Sequence, residues 1–117
     1  MKKNRTAIFA FKGNPNCFVH VLLNAIDLYE KKGEVKIILE GEATKLIVEL
    51  RKSEHSLHAL YEKAKELGLI DAVCRACAMK MGGLEVAEAE GFRIADDMKG
   101  HAGMAPYIEQ GYEIITL

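Results

Sequence analysis

Short apolar runs alternate with amphipathic stretches along the whole chain. Residues 6–11, TAIFAF, are nearly all apolar and stop at Lys12-Gly13. A run that short, apolar on both faces, predicts a buried first strand. Asn14 or Asn16 can cap a following helix, and Pro15 suits its first turn. That helix is expected to reach about Lys32, with Phe18, Leu22, Ala25, Ile26 and Tyr29 on one face. Lys31 and Lys32 fall in its last turn, where the helix dipole favours cations, and Gly33 suits the position just past its end.

The alternation continues. Residues 35–39 predict a second strand, closed by Glu40-Gly41, and a weaker helical stretch covers 43–50. After the polar break at 51–56, Leu57, Leu60, Tyr61, Ala64 and Leu67 form one helical stripe that Gly68 ends. Residues 69–73 predict a third strand, although Asp71 is an unusual residue for a buried one. A helical segment at 76–81 stops at Gly82-Gly83, and a second at 84–90 stops at Gly91. Residues 92–95 predict a fourth strand, 96–103 a polar loop, 105–110 a short helix with Pro106 in its first turn, and 112–117 a fifth strand. Five short strands alternating with helices predict a three-layer α/β/α sandwich around a five-stranded parallel sheet. No internal repeat or linker divides residues 1–117, so a single domain is expected.

Composition narrows the functions. Half of the 117 residues are apolar, enough for a core that needs no disulfide or metal staple. With 16 basic and 17 acidic residues spread along the chain, there is no basic stripe for nucleic acid. Trp is absent and aromatics make up 7%, which leaves no stacking platform for bases. The apolar runs are strand-sized, far short of a membrane span. The basic start, Met1 to Arg5, precedes too short an apolar run for a signal peptide, and no small-residue cleavage site follows. A cytoplasmic location is therefore expected. There, three cysteines are reduced thiols rather than a disulfide framework.

In a parallel α/β sheet, ligands bind outside the carboxyl ends of the strands. The loops expected there carry Lys12, Gly13, Asn14, Pro15, Asn16 and Cys17, then Glu40 and Gly41, then Cys74, Arg75 and Cys77, then residues 96–101. Lys12, Asn14, Asn16, Cys17, Glu40, Gly41 and Asp96 are the expected pocket lining. Cys74 stands where a strand is expected to stop and a helix to start, where helix N–H groups and Arg75 would favour a thiolate. It is the candidate nucleophile, or else a small buried hydrophobe. Cys77, one turn on, is a resolving thiol or a core residue. His101, in a glycine-flanked loop, could serve a thiol as acid, base or charge partner.

Other chemistry fits less well. A thioredoxin-like pair is out of context, since Cys74 and Cys77 follow the third strand and neither of only two prolines stands as a cis-proline partner. Residues 12–16 lack the length and the Gly-Lys-Ser/Thr ending of a phosphate loop. One C-x-x-C with a remote Cys17 and a remote His101 is not zinc-finger spacing. A metal site built from Cys74, Cys77, Cys17 or His101 is therefore the weakest of the alternatives, and no metal or other cofactor is expected.

The segment 73–82, VCRACAMKMG, follows the third strand and ends in a basic residue and a glycine. Together with Glu40-Gly41 before a short helix and the C-terminal GYEIITL, it resembles the DsrE/DsrF-like family of small sulfur-relay-related proteins. The resemblance covers nearly the whole chain. It implies the α/β/α sandwich, a homo-oligomer of the trimer or hexamer kind, and a donor or acceptor protein as partner. It also implies that Cys74, matching the family's active cysteine, accepts and passes sulfane sulfur as a persulfide, as a sulfurtransferase or sulfur carrier. The chain departs from the relay subunits in its short first loop and in Cys17 there. The alternative is an oligomeric binding module of the same fold, without catalysis, in which Cys74 is simply packed.

Overall fold

The apolar runs form five strands: β1 (Arg5–Ala10), β2 (Glu34–Leu39), β3 (Ile70–Cys74), β4 (Ile94–Ala95) and β5 (Glu113–Thr116). They pair in the order β4-β3-β2-β1-β5, each with its neighbour in parallel. The structure is a computed structural model and describes residues 4–117; Met1, Lys2 and Lys3 of the basic start lie outside the described residues. Helices α1 (Pro15–Glu30), α2 (Leu46–Leu50), α3 (His58–Glu66), α4 (Arg75–Met81), α5 (Leu84–Ala89) and α6 (Ala105–Glu109) connect the strands. The expected weak helix after β2 begins instead as a 3-10 turn, Gly41–Lys45, that runs into α2. Among the described residues, no helix is long and apolar enough to cross a membrane.

Strand order explains how the helices are shared between the faces. From β1 to β4, every crossover steps in the same direction. Right-handed crossovers stepping one way lie on one face of the sheet. Accordingly Ile8, Ala10, Ile37, Leu39 and Val73 pack in one cluster with Phe18, Leu22 and Ala25 of α1, Tyr61 and Ala64 of α3, and Ala87 of α5. From β4 to β5 the chain must return past three strands in the opposite direction, so its cover falls on the other face. There Ala7, Phe9, Ile38, Ala72, Cys74 and Ala95 pack with Ala102 and Tyr107 of the return segment, and the partly buried Cys77, Met104, Tyr112 and Ile114 lie against them. Tyr107 sets its ring edge-on to Phe9 at 5.5 Å and 90°, a pairing worth roughly 0.5–1.5 kcal/mol beyond area burial.

Asp71 belongs to this second face. The register of β3 slips there: Ile37 pairs with Ile70, but Ile38 pairs with Ala72. One extra residue on β3 makes a bulge, which lets Asp71 leave the strand alternation. Its carboxylate accepts from the Tyr107 hydroxyl at 2.5 Å and from Arg93 at 3.0 Å, and Lys36 lies 3.8 Å away. The unusual strand residue is therefore the polar anchor that ties α6 to the sheet.

Candidate functional site

The return segment from β4 begins beside the carboxyl end of β3, and this brings Cys74, Cys77 and His101 together. Alternation along β3 turns Val73 to the first face and Cys74 to the second. Cys74 is the last residue of the strand and the N-cap of α4. Its sulfur approaches Nδ1 of His101 to 3.3 Å, and it is 0% exposed. Cys77, one helical turn on, brings its sulfur to 3.6 Å from the same nitrogen and keeps partial solvent access. His101 itself is exposed. The solvent-facing thiol is thus Cys77, while Cys74, the expected nucleophile, is sealed beneath the return segment.

A tight turn holds the imidazole. Met98 and His101 exchange backbone hydrogen bonds of 2.9 and 3.0 Å. The two residues between them, Lys99 and Gly100, have φ of 51° and 89°. Two left-handed central residues make the turn that suits a two-residue hairpin, and the second is a glycine because the conformation demands it. The Gly100 carbonyl accepts from the Ala76 amide at 2.9 Å, which satisfies one of the free N–H groups at the start of α4. Asp97 accepts from the Gly103 amide at 3.2 Å, closing the other end of the loop.

The acidic side of the site comes from β2. Glu40 follows the strand and is buried; burial first, then the charge of Asp97, raises its carboxyl. Burial also pushes the Cys77 thiol up; the Gly41 backbone amide opposes this, and Cys74 and Glu40 reinforce it. Among the described residues Arg75 makes no bond to either thiol, and its side chain is exposed. The cation expected from Arg75 is therefore not at the thiol pair, and the charged neighbour that acts on Cys77 is Glu40.

The expected pocket residues divide among separate recesses. Glu40 and Gly41 adjoin the thiol pair. Lys12, Asn16 and Cys17 line an open groove of about 540 Å³ with Phe11, His20 and Leu117. Asn14 acts as the N-cap of α1, its side chain accepting from the Asn16 amide at 2.8 Å. Asp96 lines a cavity of about 180 Å³ beside Arg93 and Tyr107. The cause of the division is the 3-10 turn. A Cβ on Gly13 would meet Glu42 and Lys45 at under 3.0 Å, and one on Gly83 would meet the Thr44 carbonyl at 2.9 Å. The turn is wedged between the β1 loop and the junction of α4 with α5. Cys17 therefore stands apart from the other two cysteines. Nothing in the sequence pattern marks Phe11 and Leu117 as groove residues; for the Lys99-Gly100 turn the signal is a glycine beside a polar residue within loop 96–103.

No family model matches the chain. It is 38% identical over 114 residues to the uncharacterized protein MJ0733 of Methanocaldococcus jannaschii, covering 94% of this chain and 91% of that one. Two uncharacterized proteins of Archaeoglobus fulgidus match shorter parts. One is 46% identical over 35 residues, covering 30% of this chain and 95% of its own. The other is 33% identical over 63 residues, covering 54% of this chain and 100% of its own. Among solved structures, BT1422 from Bacteroides thetaiotaomicron, a conserved protein of unknown function, superposes with a TM-score of 0.70 over 96% of this chain and 94% of its own. At 14% identity that likeness is one of fold.

Proposed function

Because the chain belongs to the family of the uncharacterized archaeal protein MJ0733, we propose its function from the site itself: it accepts sulfane sulfur as a persulfide in the Cys74–Cys77 pair and passes it on. The observation that carries this is the convergence of two reduced thiols on one imidazole nitrogen, at 3.3 and 3.6 Å, at the ligand-binding edge of the sheet. The resemblance to the DsrE/DsrF-like family, with Cys74 at the position of the active cysteine, supports it. That family's sulfur-relay role also brings a cytoplasmic location, a homo-oligomer and a donor or acceptor protein into the proposal.

The step balances without an oxidant. Cys77, the thiol with solvent access, gives its proton to His101 Nδ1. Its thiolate attacks the outer sulfur of a donor persulfide. The donor's S–S bond breaks, and the donor leaves as a thiolate that takes up the proton. Cys74 can then attack the outer sulfur of the Cys77 persulfide, which moves the sulfur to the sealed position and returns Cys77 to a thiol. An acceptor thiolate reverses the sequence.

The test is intact-mass spectrometry of the reduced, chelator-treated chain after incubation with an inorganic polysulfide. The wild type should gain the mass of one sulfur, and the Cys77→Ser variant should not. A Cys74→Ser/Cys77→Ser chain that loads as well as wild type overturns the proposal. The complete burial of Cys74 favours a second function, a binding module with packed thiols. In that case neither single variant changes loading, because wild type does not load.

A further inference from the structure

Two sulfurs on one nitrogen also have a consequence that does not depend on sulfur transfer. Nδ1 offers a single lone pair or a single proton, so it fully satisfies only one thiol at a time. A cation held among the three ligand atoms accounts for all of them. With metal–sulfur bonds of about 2.3 Å and a metal–nitrogen bond of about 2.0 Å, tetrahedral geometry sets neighbouring sulfur and nitrogen atoms about 3.5 Å apart. The separations of 3.3 Å for Cys74 and 3.6 Å for Cys77 bracket that value. All three ligand atoms lie within 4.8 Å of one another. Bringing the two sulfurs to their own tetrahedral separation takes at most about 1 Å of movement.

We infer that Cys74, Cys77 and His101 bind an exchangeable divalent transition-metal ion of the zinc type, with the fourth position open to solvent. Two thiols and an imidazole are the donors that zinc prefers and that magnesium and calcium do not. Each thiol gives its proton to solvent on binding, so the two thiolates neutralise the dication. The opening follows from the burial pattern. Cys74 closes the site toward the sheet, while Cys77 is part-exposed and His101 exposed. Three protein ligands with one free position are the arrangement of an exchangeable or reactive zinc rather than a closed structural one. At the level of sequence such a site is the least favoured alternative, because loop 96–103 supplies the third ligand from a distance that zinc-finger spacing does not cover; the structure groups Cys74, Cys77 and His101 without Cys17.

The test uses cobalt(II) alone, titrated anaerobically into the reduced chain and followed by its thiolate charge-transfer absorption, then displaced with zinc(II). One equivalent per chain should bind. His101→Ala, at an exposed position, and Cys77→Ser should each weaken binding by at least about 100-fold, since even groups that only orient a metal ligand cost 10–100-fold when lost. Cys17→Ser should bind as wild type does. The inference is overturned if wild type shows no thiolate–cobalt absorption at one equivalent, if His101→Ala binds as tightly as wild type, or if Cys17→Ser loses the ion. Sulfur loading is read on chelator-treated protein, so either result can fail without the other.

Discussion

The Ala76 amide donates to the Gly100 carbonyl at 2.9 Å, and this one bond docks the turn that carries His101 onto the helix that carries Cys77. The docking depends on Gly100 holding φ of 89°. Room is not the issue, because a Cβ there would find nothing nearer than the Ala76 Cβ at 3.9 Å. Gly100→Ala should therefore cost about 1–2 kcal/mol through backbone strain alone, read as a lower midpoint in urea. It should also release the turn and speed alkylation of Cys74. An unchanged midpoint together with an unchanged alkylation rate rules out this role for the turn.

The burial order of the thiols predicts an order of reaction. Iodoacetamide should label Cys77 in the native chain and leave Cys74 unlabelled until the return segment opens, since a sealed thiol reacts only through local unfolding. Peptide mapping over time should show Cys74 at least about tenfold slower than Cys77. Equal rates would mean that the segment does not cover Cys74 in solution.

The strand–helix alternation was legible because apolar runs of strand length and helical stripes have different periods, and all five strands appear where the pattern puts them. Strand order was not legible, because it lives in which crossover reverses direction, and no residue pattern marks that. The consequences reach the site. Cys74 was identifiable as the thiol at the end of β3, but its burial comes from the return crossover. Asp71 looked misplaced in a strand because the bulge that turns it toward Tyr107 is a matter of pairing, not of composition. The seven expected pocket residues follow the strands' carboxyl ends but do not share one recess, because the 3-10 turn at Gly41–Lys45, read from sequence as a weak helix, separates Cys17 from Cys74 and Cys77.

Asp71 makes stability depend on acid. Burial works to raise its carboxyl, but the hydrogen bonds from Tyr107 and Arg93, with the charges of Lys36 and Arg93, outweigh this and hold it below the ordinary value. A depressed folded-state pKa contributes stability that is full above the unfolded value, about 3.9 for Asp, and is lost as pH falls through the folded value. The urea midpoint should fall between about pH 5 and pH 2 in wild type, and less steeply in Asp71→Asn. At neutral pH that variant should already be weaker by about 1–3 kcal/mol, since the Tyr107 hydroxyl and Arg93 lose a charged acceptor. Parallel acid curves for the two proteins would remove Asp71 as the acid-sensitive group.

Gly83 tests the wedge formed by the 3-10 turn. Its φ of −108° is open to any residue, so conformational strain plays no part in its identity. The constraint is contact: a Cβ would stand 2.9 Å from the Thr44 carbonyl oxygen, which is backbone and cannot swing aside. Thr44 is itself fully buried, and its hydroxyl donates to the Gly41 carbonyl at 2.8 Å. Gly83→Ala must therefore push the junction of α4 and α5 away from the turn, at a cost of about 1–3 kcal/mol for overpacking. Because Gly41, the first residue of that turn, acts on Cys77 through its backbone amide, the shift should also change the alkylation rate of Cys77. Gly82→Ala is the control, for it has φ of 77° and nothing within 4 Å of its Cβ. It should lower stability through strain and leave Cys77 reactivity as in wild type. If both variants alter Cys77 equally, the turn does not position the thiol.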